Sequence, residues 1–133
     1  MTRYMLDTDT CSYIMKRSSP ALIERLRSVP VEDVCMSVVT NAELRYGVRV
    51  SPRAAQDGKA LEALLTYVEV LDFSEHAAEH YADIRADLKR RGEMIGAHDL
   101  FIGAHARSLG LTLVTNNMAE FDRVPRLEVE NWT

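Results

Sequence analysis

The chain has 133 residues, 47% of them apolar, a composition that suits one folded domain (residues 1–133) and excludes a disordered or low-complexity protein. No apolar run approaches bilayer length, and the opening MTRYMLDTDT meets carboxylates before a signal peptide could build its apolar stretch, so a soluble, cytoplasmic protein with no membrane contact is expected. A net charge of −4 gives no global basic footprint, so any nucleic-acid contact would have to come from basic residues on the rim of an acidic pocket.

In chain order, Arg3 to Leu6 reads as a short buried strand ending at Asp7, followed by a helix over Thr8 to Lys16 for which Asp7, Thr8 and Asp9 are all possible caps. Ser19-Pro20 has the residue types of an N-cap and first helical position, opening a helix with Leu22, Ile23 and Leu26 on one face. Val34 to Val39 is a second strand, after which Thr40 caps a helix that runs to about Val50 and stops before Pro52. Leu61, Leu64, Leu65 and Val68 recur at helical spacing and lead into a brief strand, Glu69 to Leu71. Ala77, Tyr81, Ile84 and Leu88 mark an amphipathic helix closed by Arg90-Arg91-Gly92. Ala97 to Leu109 is apolar nearly all round and predicts a buried helix with Gly110 as its stop. Leu111 to Thr115 is a third clear strand, Asn117 to Phe121 a helical turn, and Leu127 to Val129 an edge strand.

Strands alternating with helices predict an α/β fold, a parallel sheet with helices on both faces, and in such folds function collects beyond the carboxyl ends of the strands. Acids and amides fall at those ends: Asp7, Glu43, Asp99, Asn117 and Glu120. Two carboxylates about 4 Å apart repel by roughly 1 to 4 kcal/mol at effective dielectrics of about 80 to 20, so such a cluster needs a cation. A set of carboxylates without Cys or His partners suits Mg2+ or Mn2+ better than Zn2+, and these metals promote phosphodiester hydrolysis. Each member also has a structural explanation. Thr40 to Glu43 fits a capping box, Asn117 with Glu120 makes a similar pair, Asp7 suits an N-cap, and Asp99 would favour the positive end of a helix. Asp99 is the hardest to explain this way, because it stands beside the apolar Leu100-Phe101-Ile102 and a buried acid needs a partner.

Four segments carry a resemblance: YMLDTDTCSYIMK, SVVTNAELRYG, IGAHDLFIGAHARSLG and LTLVTNNMAEFDRVPRLEVENW. They resemble the PIN-domain toxins of the VapC type, from end to end and with the motifs in order. The resemblance implies a PIN-like three-layer sandwich with a central parallel sheet of four to five strands. It also implies Mg2+ or Mn2+ held by Asp7, Glu43 and Asp99. The family's fourth acid maps onto Asn117, an amide here, while Glu120 one turn on has the charge; Asp9 stands where an Asn is common, and Thr8 and Thr115 are implied supports. The implied activity is endoribonuclease cleavage of RNA, most often a tRNA in its anticodon stem-loop, leaving 5′-phosphate and 3′-hydroxyl ends. The implied partners are a VapB-type antitoxin that threads a basic side chain into the acidic pocket, and a second copy in a homodimer.

Arg85, Lys89, Arg90 and Arg91 form the densest basic cluster, with Arg45, Arg49 and Arg53 a second; both are candidate contacts to RNA phosphates, and Lys89 to Arg91 are also explained as cations complementing a helix end before Gly92. His76 and His80 have i, i+4 spacing without HExxH and read as surface histidines. His98 and His105, seven residues apart, are expected to share a helical face, near the site or a dimer contact. Tyr4, Tyr46 and Trp132 are expected to pack, and Cys11 and Cys35 to be buried, reduced thiols. Two other readings compete. Asp7-Thr8-Asp9-Thr10 fits the DxDxT of haloacid-dehalogenase-like phosphatases, but Lys59 and Lys89 are poorly placed and no late Asp-Asp follows. A receiver domain would use Asp72 as phospho-acceptor, but no Lys ends the strand before Asn116.

Overall fold

The computed structural model describes residues 1–133. Its strands are β1 (Tyr4–Leu6), β2 (Val34–Ser37), β3 (Glu69–Leu71), β4 (Thr112–Val114) and β5 (Val129–Glu130), and its helices α1 (Thr8–Lys16), α2 (Pro20–Ser28), α3 (Val38–Val50), α4 (Ala54–Tyr67), α5 (Glu75–Arg91), α6 (Ala97–Ser108) and α7 (Met118–Phe121). The sheet is parallel throughout, in the order β3-β2-β1-β4-β5, as expected from the strand–helix alternation. Tyr4 to Leu6 pairs with Val34 to Met36 on one side and Thr112 to Val114 on the other. Strands buried on both faces read as unbroken apolar runs, and β1 and β2 are buried at every position.

The two faces are covered differently. Tyr4, Leu6, Val34 and Met36 face Leu22, Leu44, Leu61 and Leu64 from α2, α3 and α4. On the other face Met5, Cys35 and Leu113 meet Ile102 and Ala106 of α6. A further apolar layer joins Ile84 and Leu88 of α5 to Leu100 and Ala104 of α6. α6 therefore lies between the sheet and α5, which is why its sequence is apolar nearly all round. Burying one such aliphatic side chain contributes about 1.5–3 kcal/mol. Arg107, also buried, satisfies its guanidinium on His80 Nδ1 (2.9 Å) and the Pro125 carbonyl (3.1 Å).

Several local expectations need correction. β2 ends at Ser37 rather than Val39, and Ser37 rather than Thr40 caps α3, its Oγ accepting the Val39 N–H at 3.1 Å. The Thr40–Glu43 capping box does not form. Asn117 stands at the start of α7 without capping it. The edge strand lies at Val129–Glu130, two residues beyond the predicted start. Tyr46 is 69% exposed, whereas Tyr4 and Trp132 do pack, edge to face with centroids 5.0 Å apart. His80 is no free surface residue, since Arg107 donates to it, and Cys11 and Cys35 are buried free thiols. No helix is long and apolar enough to cross a membrane.

Candidate active site

β2 and β4 flank β1 on opposite sides, so the strand order reverses between β1 and β4, and the carboxyl edge there is where ligands bind in open α/β sheets. Asp7 is the first residue beyond β1. Its backbone N–H bonds the Val114 carbonyl (3.0 Å), its side chain caps α1 by accepting the Thr10 N–H (2.9 Å), and Thr10 Oγ1 ties the same turn to Val114 O (3.1 Å). Only 2% exposed, Asp7 has its pKa raised by burial, against the lowering effect of hydrogen bonds from Thr115 and Thr10.

Glu43 lies on α3 and reaches back across the edge. Its Oε1 accepts from Thr8 Oγ1 at 2.5 Å, and its Oε2 lies 2.7 Å from Nδ1 of His98, whose side chain is 64% exposed. Thr8 Oγ1 also lies 3.3 Å from Thr40 Oγ1, so the hydroxyls of α1 and α3 meet over this acid.

Asp99 sits in the first turn of α6, and no strand precedes it. Gly96, at the N-cap position, offers no capping side chain. The position is set instead from α7: Glu120 Oε1 accepts the Gly96 N–H at 2.6 Å, and Arg123 Nη1 donates to the Met94 carbonyl at 3.1 Å. Glu120 Oε2 takes the Asn117 side-chain amide at 2.7 Å, so Asn117 and Glu120, alternatives in the sequence, form one unit. The Gly96 N–H, more than anything else, holds the Glu120 carboxyl below the ordinary range.

The acids converge electrostatically. Burial first, then the charges of Glu120, Asp7, Glu43 and Asp9, push the Asp99 carboxyl up to about 7. The charges that weigh most on it are all acidic, while Arg123 acts on the neighbouring Glu120. The side chains do not close on a common point, and no three acid, histidine or cysteine side chains are arranged to hold an ion as they stand. In donor chemistry the set fits a hard divalent cation, being carboxylate oxygens supported by threonine hydroxyls.

Of the residues expected around this site, Asp7, Thr8, Asp9, Glu43, Asp99, Thr115, Asn117 and Glu120 are all brought to the same carboxyl edge. Arg85, Arg90 and Arg91 of α5 are held in contacts of their own. Arg91 pairs with Asp87 (2.8 Å) and Glu93 (3.3 Å) and donates to the Arg123 carbonyl (2.6 Å); Arg90 lies 3.8 Å from Asp87, and Arg85 donates to Tyr81 Oη (2.9 Å). Gly92, with φ +67, closes the helix beside them, in agreement with the helix-end reading. His98 and His105 part company: His98 faces Glu43, while His105 is buried with Nδ1 2.8 Å from Ser37 Oγ. The Gly96 clamp escaped the sequence reading because a backbone N–H carries no residue signature.

Comparison with known proteins identifies the family. The family model described as PIN domain matches residues 4–127. The chain is 39% identical to Ribonuclease VapC2 of Haemophilus influenzae over 132 residues, 99% of each chain. It is 38% identical to the tRNA(fMet)-specific endonuclease VapC of Salmonella typhimurium over 132 residues, again 99% of each. Among solved structures, that of DNA-bound VapBC from Salmonella typhimurium superposes with a TM-score of 0.95 at 38% identity, covering 100% of both chains. With its parallel sheet, its acid-lined carboxyl edge and these full-length relatives, the chain belongs to the PIN-domain family and is of the VapC type.

Proposed function

We propose that the chain is a divalent-metal-dependent endoribonuclease, the toxin of a type II toxin–antitoxin pair. The observation that carries this reading is the acid cluster around Asp99, where burial and four neighbouring carboxylates push its carboxyl up to about 7. Asp7, Glu43 and Asp99 would hold Mg2+ or Mn2+, which when bound supplies an activated water and shields charge on the phosphate. The chain's own residues do the positioning. Thr8 fixes one oxygen of Glu43, Thr10 and Thr115 orient Asp7, and Glu120 with Asn117 sets the start of the helix that carries Asp99.

RNA is the substrate class, with a tRNA anticodon stem-loop the first to try, since a relative is named for tRNA(fMet). A VapB-type antitoxin would silence the site by offering the basic side chain that the pocket lacks, and the toxin itself would work as a homodimer. The reading places the protein in the cytoplasm, with its RNA substrate. The phosphatase reading is disfavoured because the chain lacks a suitably placed Lys and a late acidic pair. The receiver reading is disfavoured because Asp72 follows an edge strand of the sheet.

The test is cleavage of RNA by the purified protein with Mg2+, mapped by sequencing 5′-phosphate ends. Asp7→Ala and Asp99→Ala should abolish cleavage while circular dichroism stays unchanged. Full activity in EDTA would refute the proposal.

A further inference from the structure

A cleft of about 970 Å3 opens directly from the acid cluster and runs between α1 and α3 to the start of α4. Thr8, Asp9 and Glu43 line one end; Lys16, Arg17 and Arg53 line the other. With a helical rise of 1.5 Å per residue, the stretch of α1 from Thr8 to Lys16 covers about 12 Å, enough for a few nucleotides. Most of its lining residues are not hydrophobic, and charged side chains stand at both ends.

The cations at the far end are free. Lys16, Arg17 and Arg53 are exposed, and their side chains take part in no ion pair or hydrogen bond, unlike Arg90 and Arg91 of α5. Local helix electrostatics account for Lys16, in the last turn of α1. They do not account for Arg53, which stands at the N-cap position of α4, where the helix end is positive. Asp57 beside it is occupied in accepting from Ser51 Oγ at 2.6 Å. Between the two ends the cleft floor is open, for a Cβ added at Gly47 would meet nothing within 4 Å.

We propose that this cleft is the track for the single-stranded RNA segment adjoining the cleaved bond, with Lys16, Arg17 and Arg53 contacting its phosphates. The inference rests on the nuclease reading and places RNA contact on the α1–α3 side, with Arg53 the one residue it shares with the basic clusters named from the sequence. Three phosphate contacts a few nucleotides from the acids would fix the strand's register without reading its bases.

The test compares full-length variants by kinetics on a fluorescein-labelled single-stranded oligoribonucleotide. Lys16→Gln, Arg17→Asn and Arg53→Gln combined should raise KM about tenfold with little change in kcat, and flatten the salt dependence of kcat/KM by about 0.7 in log–log slope per lost contact. Asn suits the left-handed backbone at Arg17 (φ 52). Gly47→Leu should raise KM by obstruction while keeping or raising the melting temperature, because Leu is the better helix former. An unchanged KM in both variants overturns the proposal. So does a KM rise confined to Arg85→Gln with Lys89→Gln. Normal RNA kinetics with loss of a co-expressed VapB-type antitoxin would mark the cleft as a peptide groove and overturn it too. If the unsubstituted protein cleaves no RNA, the nuclease reading itself falls, an outcome distinct from unequal effects among variants.

Discussion

Glu120 accepts the backbone N–H of Gly96 at 2.6 Å, joining α7 to the residue that starts the helix of Asp99. The contact spans 24 positions of sequence and leaves Oε2 free to take the Asn117 amide. Glu120→Ala should therefore lower kcat at least tenfold through a displaced Asp99, with about 1 kcal/mol of lost stability, the charge-assisted bond being discounted for its solvent access. Glu120→Gln, which keeps an acceptor for the Gly96 N–H, should recover part of the activity. Equal loss in both variants would show that the charge matters rather than the clamp.

Asn117→Asp replaces a donor to Glu120 with a second carboxylate. In metal-free protein the melting temperature should fall, from like-charge repulsion and a lost hydrogen bond. Added Mn2+ should restore it more fully than in the unsubstituted chain. Scanning fluorimetry with and without the metal reads both effects; a variant indifferent to Mn2+ would remove position 117 from the site.

Asp99 makes the metal-free protein pH-sensitive in a definite direction. Its folded value of about 7 lies above the ordinary 3.8, so between those limits the folded state binds the extra proton. Stability conferred on the protonated form is fully present below about 4 and is lost as pH rises towards about 7. The Asp99 contribution is read by denaturant melts as the stability difference between the unsubstituted chain and Asp99→Asn, which should shift against the unsubstituted chain as pH rises across that window. Glu120, held below its ordinary value, adds the opposite slope only at the acid end.

Much of the site was legible because its acids follow strands or open helices. β3 was read at its observed limits, and Asp7 was recognised as both cap and site residue. The β2–α3 junction was misplaced because Val38 and Val39 have the β-branched residues of a strand, while the Ser37 hydroxyl that stops it also suits a strand interior. Of the cleft cations only Arg53 was named from the sequence; Lys16 and Arg17 were missed because they join it only when α1 and the α3–α4 turn are packed side by side. Tyr46 was expected inside on aromatic character alone, and no periodicity argued for that.

His105 gives a stability prediction away from the acids. Ser37 Oγ accepts the Val39 N–H, and its own hydroxyl proton can go to His105 Nδ1, 2.8 Å away, which leaves Nε2–H for the Asp72 carbonyl. Burial lowers the His105 pKa, so the folded state keeps the ring neutral while the unfolded chain takes up a proton below about 6.5. Stability should fall as pH drops below that value, and His105→Leu should remove this dependence while costing about 1–3 kcal/mol for the stranded partners. A His105→Leu protein with unchanged acid sensitivity would contradict the assignment.

The sheet order carries one more consequence, for synthesis. Asp7 leaves the ribosome well before Glu120, and before β4, which forms one wall of the Asp7 pocket. A nascent chain halted before β4 has neither the second neighbour of β1 nor the clamp on Gly96. The acid site is therefore complete only once β4 and α7 have both emerged, and a chain interrupted before them carries Asp7 without its surroundings.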